Sequence, residues 1–150
     1  MKTVTDIVTE AMKLAFETMA FMMILPEDEG MEIPRETLWA EIEFSGLKQG
    51  CLQVLCGPEV GRMMAQNMGC LFEPTEEEIM DAWRELCNVT CGLVIPEVAD
   101  APHDVYDVSI PCIQWNPGTP SWKNFTANPS CCVLNVEGHA VAVRLVLETK

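Results

Sequence analysis

The feature that most constrains the fold is a long amphipathic segment that begins at Thr75 and is expected to end just before Pro96. Thr75 and Glu78 have the spacing of a capping box, which marks the start of a helix. One face of this helix carries large or apolar residues at helical spacing: Ile79, Trp83, Leu86, Thr90 and Val94. Such a face must be buried, so the sequence predicts a domain in which this helix packs on a second layer.

The opposite face of the same helix carries two acids and an amide. Each residue of a helix is rotated by about 100° around the helix axis from the one before it. With Asp81 at zero, Glu85 therefore lies at about 40° and Asn88 at about −20° around this axis. These three residues form what we call the acid–amide stripe. A carboxylate can pair with a cation of a partner, and an amide can hold a water through its oxygen and its two hydrogens. Such positioning is most of what phosphoryl hydrolysis needs from a protein. From spacing alone, an ordinary solvated helix face remains the other interpretation.

The spacing of apolar residues and turn residues in the rest of the chain predicts a single domain over residues 1–150. The predicted fold class is α/β, in the form of a two-layer α+β domain. Two long helices are expected to pack on a mostly antiparallel sheet of about five or six strands. The expected elements are a helix at 3–23, strands at 37–44 and 48–56, a short helix at 58–69, the amphipathic helix, a strand at 105–113, a loop at 114–129 and a hairpin of strands 131–136 and 140–148.

Charge and composition exclude several classes of function. The formal net charge of −14 argues against binding to nucleic acid and to anionic membranes. The negative charges of both have to be neutralised by Lys and Arg side chains of the protein that binds them. Glu10, Lys13 and Glu17 interrupt any apolar run near the amino terminus, so neither a secretion signal nor membrane insertion is expected. The chain is therefore expected to be cytoplasmic, with its eight cysteines present as thiols.

The cysteines do not show the spacing of a metal site. No CxxC pair occurs, and His103 and His139 lie in no ligand pattern. Cys87 and Cys91 fall on the apolar side of the amphipathic helix, where a free thiol acts as a small apolar group. We therefore expect core packing for these cysteines and no metal bound by the chain itself.

The first helix contains a weak echo of the stripe. Lys13, Glu17 and Ala20 repeat the spacing of Asp81, Glu85 and Asn88, with alanine in the place of the amide. The echo indicates a duplicated unit whose first copy is incomplete, although a chance match would look the same.

The stripe also belongs to a longer pattern. Asp81, Glu85 and Asn88 are followed, after 22 residues, by Pro111. This arrangement resembles the signature of the CheC/CheX/FliY phosphatases of bacterial chemotaxis, a family built on a pseudo-repeat. One intact copy beside one degenerate copy is more similar to CheX than to CheC, which carries two.

The resemblance implies a specific activity. Members of this family remove phosphate from the aspartyl phosphate of a CheY-type response regulator. Glu85 would pair with the regulator's Lys, Asn88 would enter its active site to orient the attacking water, and Asp81 would share the partner-facing surface. The Mg²⁺ would be supplied by the regulator, so no cofactor of the chain's own is expected. The alternative is a non-enzymatic adaptor that docks a regulator or another signalling protein through the same face, and a homodimer is compatible with either.

Overall fold

Four helices and seven strands make up the part of the chain that the computed structural model describes, residues 2–26, 29–69 and 72–149. In chain order they are α1 (Val4–Met19), β1 (Ile24–Leu25), β2 (Leu38–Ser45), β3 (Lys48–Cys56), α2 (Pro58–Asn67), α3 (Glu76–Val98), β4 (Asp107–Val108), β5 (Cys112–Trp115), α4 (Trp122–Thr126), β6 (Cys131–Val136) and β7 (His139–Thr149). None of these helices is long and apolar enough to cross a membrane.

All seven strands join one antiparallel sheet. Its order is β1-β6-β7-β3-β2-β4, and β5 also pairs with β2. In β2 the buried residues alternate with more exposed ones, as expected for a strand with one face on a core. The predicted two-layer α+β class is confirmed, while β1 is a short edge strand that the sequence pattern does not reveal.

The two long helices lie side by side and antiparallel on the inner face of the sheet. At one end, Lys2 Nζ lies 3.3 Å from a carboxylate oxygen of Glu97. Midway, the Thr90 hydroxyl donates to the sulfur of Met12 at 3.6 Å. This pairing buries one side of α3 against α1 and the sheet and leaves its other side exposed.

The ends of both long helices differ from the prediction. Helix α1 stops at Met19 rather than near residue 23, because Phe21 adopts a left-handed φ of 55° that turns the chain toward β1. Helix α3 does not stop before Pro96 but continues to Val98. The proline removes one hydrogen bond to the carbonyl of Gly92, and Gly92 is exposed, so water can reach that carbonyl.

The predicted strand 105–113 is wrong as a continuous element. Only residues 107–108 and 112–115 pair with β2. Between them, the Ser109 backbone N–H donates to the Glu43 carbonyl at 2.8 Å, and the Ser109 hydroxyl accepts from the Glu43 N–H at 2.9 Å. Pro111 then interrupts the ladder, since it has no N–H to contribute.

The predicted loop 114–129 begins inside β5 and contains the short helix α4. Its amino end is capped by the Ser121 hydroxyl, which accepts from the Asn124 N–H at 3.2 Å. Phe125 of this helix packs edge-on against Trp39, with ring centroids 5.4 Å apart. Helix α4 thereby covers part of the outer face of the sheet with a second, smaller apolar cluster.

Candidate active site

Helix α3 is fixed at its start by the predicted capping box. The Thr75 hydroxyl accepts from the Glu78 N–H at 3.2 Å, and the Glu78 carboxylate accepts from the Thr75 N–H at 2.9 Å. The two bonds satisfy backbone donors that the first turn of a helix leaves unpaired. The first turns of α3 are therefore kept helical from the cap as far as the stripe.

Trp83 anchors the back of α3. Its side chain is fully buried and meets the ring of Phe16 edge-on. Helix α2 approaches this indole through Gly61, where a methyl group added to the glycine would lie only 2.6 Å from Trp83 Nε1. The helix is thus held between α1 and α2 by close packing, which prevents it from rolling and changing the residues it exposes.

The acid–amide stripe lies on the exposed side of α3. Asp81, Glu85 and Asn88 are all exposed, and the face predicted to be buried is buried. Among the described residues, none makes a hydrogen bond or ion pair with the side chains of Glu85 or Asn88. A carboxylate and an amide are therefore presented together on a rigid support and are available to a partner.

Asp81 differs from the other two because Arg84 holds it. Arg84 Nη1 donates to the Asp81 carboxylate and, at 3.1 Å, to Glu77. Partial burial lowers the pKa of the Arg84 guanidinium, but the hydrogen bonds to Glu77 and Asp81 outweigh this effect, so the net shift of the pKa is upward. Arg84 is not part of the motif from which the stripe was predicted, although its position three residues after Asp81 is a known spacing for helical ion pairs.

A groove of about 450 Å³ runs between α2 and α3 beside the stripe. Its lining consists of Ala65 from α2, of Met68 at the cap that follows α2, and of Glu78, Asp81, Ala82 and Glu85 from α3. The carboxylates of α3 thus share the groove with one small and one apolar side chain from the end of α2. A partner that meets Glu85 therefore has room for a side chain next to it.

Pro111 lies outside helix α3 and so is not part of the stripe. It is buried in the link between β4 and β5, and β5 packs against α3. Its position indicates a structural role for the fourth residue of the signature, through the strand that supports α3.

The echo on α1 does not form a second stripe. Lys13 and Glu17 are exposed on the helix, but Ala20 is fully buried and lies at the cap, beyond the last helical residue. Its carbonyl accepts a hydrogen bond from Asn67 Nδ2 at 2.8 Å. The residue in the amide position is thus a buried cap residue, and its backbone links the end of α1 to the end of α2.

One group of three side chains in the described part of the chain has the geometry to hold a metal ion. The ligand atoms of Glu41, Glu43 and Cys51 lie within 4.8 Å of one another. Burial and the neighbouring Glu41 raise the pKa of the Cys51 thiol to about 12. The group lies on the outer face of the sheet, away from α3, and so is not part of the stripe.

Solved structures of chemotaxis proteins share this fold. The chain superposes on CheX from Vibrio vulnificus with a TM-score of 0.71 at 16% identity, covering 98% of this chain and 97% of that one. It also superposes on a chain of the Borrelia burgdorferi complex of CheX, CheY, BeF₃ and Mg²⁺, with a TM-score of 0.60 at 15% identity and coverage of 97% and 98%. The similarity extends over the whole arrangement of helices and sheet.

One relative by sequence belongs to a different class of protein. Ferredoxin-1 from Aquifex aeolicus is 35% identical over 83 residues, which cover 49% of this chain and 85% of that protein. An iron–sulfur cluster is held by thiolates that converge on its irons. Cys51 and Cys56 are five residues apart on β3 and point to opposite faces, so these two do not converge. Burial also raises the pKa of Cys56 well above its ordinary value.

The sequence model of the family described as chemotaxis phosphatase CheX matches residues 38–116. The match covers more than half of the chain and includes the acid–amide stripe and Pro111. The fold agrees with this match, because the superposition on CheX covers 98% of the chain. The chain therefore belongs to the CheX family of chemotaxis phosphatases.

Proposed function

We propose that the chain is a phosphatase that hydrolyses the aspartyl phosphate of a CheY-type response regulator. The observation that carries this proposal is a carboxylate, Glu85, and an amide, Asn88, that no other described side chain engages, side by side on a helix that is anchored behind them. The Borrelia complex of a CheX protein with CheY, BeF₃ and Mg²⁺ supports the choice of partner.

In this mechanism the two residues have separate tasks. Glu85 binds the Lys of the regulator's active site and aligns the two proteins. Asn88 enters that site, where its amide holds the attacking water in line with the phosphorus atom. The Mg²⁺ belongs to the regulator and offsets the charge of the phosphoryl group there, so the chain itself contributes only alignment and water positioning.

Specificity in this mechanism depends on contacts at short range. The net charge of −14 does not favour attraction to a regulator site that is itself acidic. At an ionic strength of 0.1 M, charges separated by more than about 10 Å are largely screened. The surfaces next to the stripe, including the groove between α2 and α3, therefore decide which regulator docks.

The test compares phosphate release from a panel of phosphorylated regulators with wild-type chain and with Asn88→Ala. We expect the variant to lose on the order of 10²-fold or more of the rate, as removal of one well-placed polar group does in comparable sites. Asn124→Ala is the matched control, since Asn124 is an exposed asparagine on α4, away from the stripe. Melting curves check that both variants remain folded.

Two results would contradict the proposal. Release at the wild-type rate by Asn88→Ala would remove the amide from the mechanism. Binding of a BeF₃-loaded regulator without any acceleration of phosphate release would instead identify the chain as an adaptor that docks through the same face.

A further inference from the structure

The proposed reaction brings two acidic surfaces together. The stripe carries two carboxylates, and helix α3 begins with three more at Glu76, Glu77 and Glu78. A phosphorylated regulator site adds negative charge on the other side of the interface. This inference rests on the proposed function and concerns how Asn88 can approach such a site at all.

Arg84 is the one basic residue in the sequence of α3. It follows Asp81 by three residues and precedes Asn88 by four, and both are spacings at which helical side chains are neighbours. Its side chain is 29% exposed, compared with 62% for Asp81 and 69% for Glu77. The guanidinium is thus held along the helix by the carboxylates of Glu77 and Asp81, which precede it in the sequence.

The structure assigns Arg84 a role as a positioning residue that neutralises Asp81 at the edge of the stripe. With Asp81 compensated, Glu85 remains as the one uncompensated carboxylate of the stripe, and it faces the regulator's Lys. Asp81 is then engaged by Arg84 and does not present a free carboxylate to the partner. Arg84 does not contact the phosphoryl group in this arrangement, which separates it from a catalytic residue.

The test is a double-mutant cycle of wild type, Arg84→Gln, Asp81→Asn and the double variant. Each is assayed for kcat and KM with a phosphorylated CheY-type regulator in Mg²⁺, at two salt concentrations. Arg84→Gln leaves Asp81 uncompensated, so KM should rise about tenfold at low salt and less at high salt, with kcat changed less than threefold. Asp81→Asn should lower KM, and the double variant should return KM to within about threefold of wild type.

The matched control is Lys2→Gln. Lys2 is also a cation held by two carboxylates, Glu10 at 2.9 Å and Glu97 at 3.3 Å, but it lies at the opposite end of α3. Its removal changes the net charge by the same amount as Arg84→Gln. An equal rise of KM in both variants would mean that only the total charge matters, and would overturn the proposal.

Two further results would also overturn it. A double variant as impaired as Arg84→Gln would mean that the guanidinium itself contacts the regulator or its phosphate. An Arg84→Gln chain with a lower melting temperature and an unchanged KM would mean a structural role alone. Failure of the wild-type chain to hydrolyse any regulator would refute the proposed function and this inference with it. Normal hydrolysis by the wild type, with the same KM in all four members of the double-mutant cycle, would refute only the inference.

Discussion

The indole of Trp83 lies edge-on to the phenyl ring of Phe16, with ring centroids 6.0 Å apart and ring planes at 89°. Aromatic pairs in this geometry contribute about 0.5–1.5 kcal/mol beyond the burial of their surfaces. Trp83 is on the opposite side of α3 from Asn88, so the contact fixes the rotation of the helix that presents the amide. The packing of the core and the geometry of the candidate site therefore depend on the same residue.

Gly61→Ala should destabilise the protein, because its new methyl group would lie 2.6 Å from both Ile79 Cγ2 and Trp83 Nε1. Overpacking of this kind costs about 1–3 kcal/mol of the free energy of unfolding, which urea titration measures. Gly92→Ala is the control, since a methyl group on this exposed helical glycine meets no atom within 4 Å. That variant should gain up to about 1 kcal/mol. Equal destabilisation by both would contradict the close contact of α2 with α3.

Glu85→Lys should weaken binding of a BeF₃-loaded regulator by about tenfold or more, because it sets two cations against each other where an ion pair is proposed. Titration calorimetry measures the Kd. Glu17→Lys provides the same reversal of charge on the equivalent position of α1, where no stripe exists. We expect the Glu17 variant to bind and hydrolyse as wild type does. A regulator that binds Glu85→Lys as tightly as wild type would disprove the Lys contact.

Cys87 should make the protein less stable at alkaline pH. Burial, and then the neighbouring Cys91, raise the pKa of the Cys87 thiol from 9.0 to about 12. The native state therefore keeps this proton between about pH 9 and 12 while the unfolded chain loses it. The stabilisation is complete below pH 9 and falls by about 1.4 kcal/mol per pH unit above it.

The measurement is the difference in free energy of unfolding between wild type and Cys87→Ala, at pH values from 8 to 11 under reducing conditions. The alanine variant lacks the ionising thiol, so the advantage of wild type should shrink at each step above pH 9. A difference that does not change with pH would show that the thiol ionises as readily in the folded protein as in the unfolded chain.

The amino-acid sequence by itself determined the elements whose signals are local. The capping box of Thr75 and Glu78 and the helical spacing of α3 depend on neighbours within one or two turns, and the structure contains both. The alternation of β2, the bounds of β3 and the closing hairpin also follow from short-range patterns. The exposed stripe was predictable for the same reason, because residues at i, i+4 and i+7 share a face in any helix.

Tertiary structure decided what depends on distant partners. Residues 105–113 divide into two short strands because Ser109 takes over the hydrogen bonds of Glu43, which is far away in sequence. Helix α4 forms where Phe125 packs against Trp39 on the outer face of the sheet, and the carbonyl of the buried Ala20 accepts a hydrogen bond from Asn67, 47 residues further along the chain. These contacts join segments that are remote along the chain. The periodicity of a short stretch of sequence therefore does not predict them. Likewise, only the tertiary structure shows that no distant side chain among the described residues engages Glu85 or Asn88.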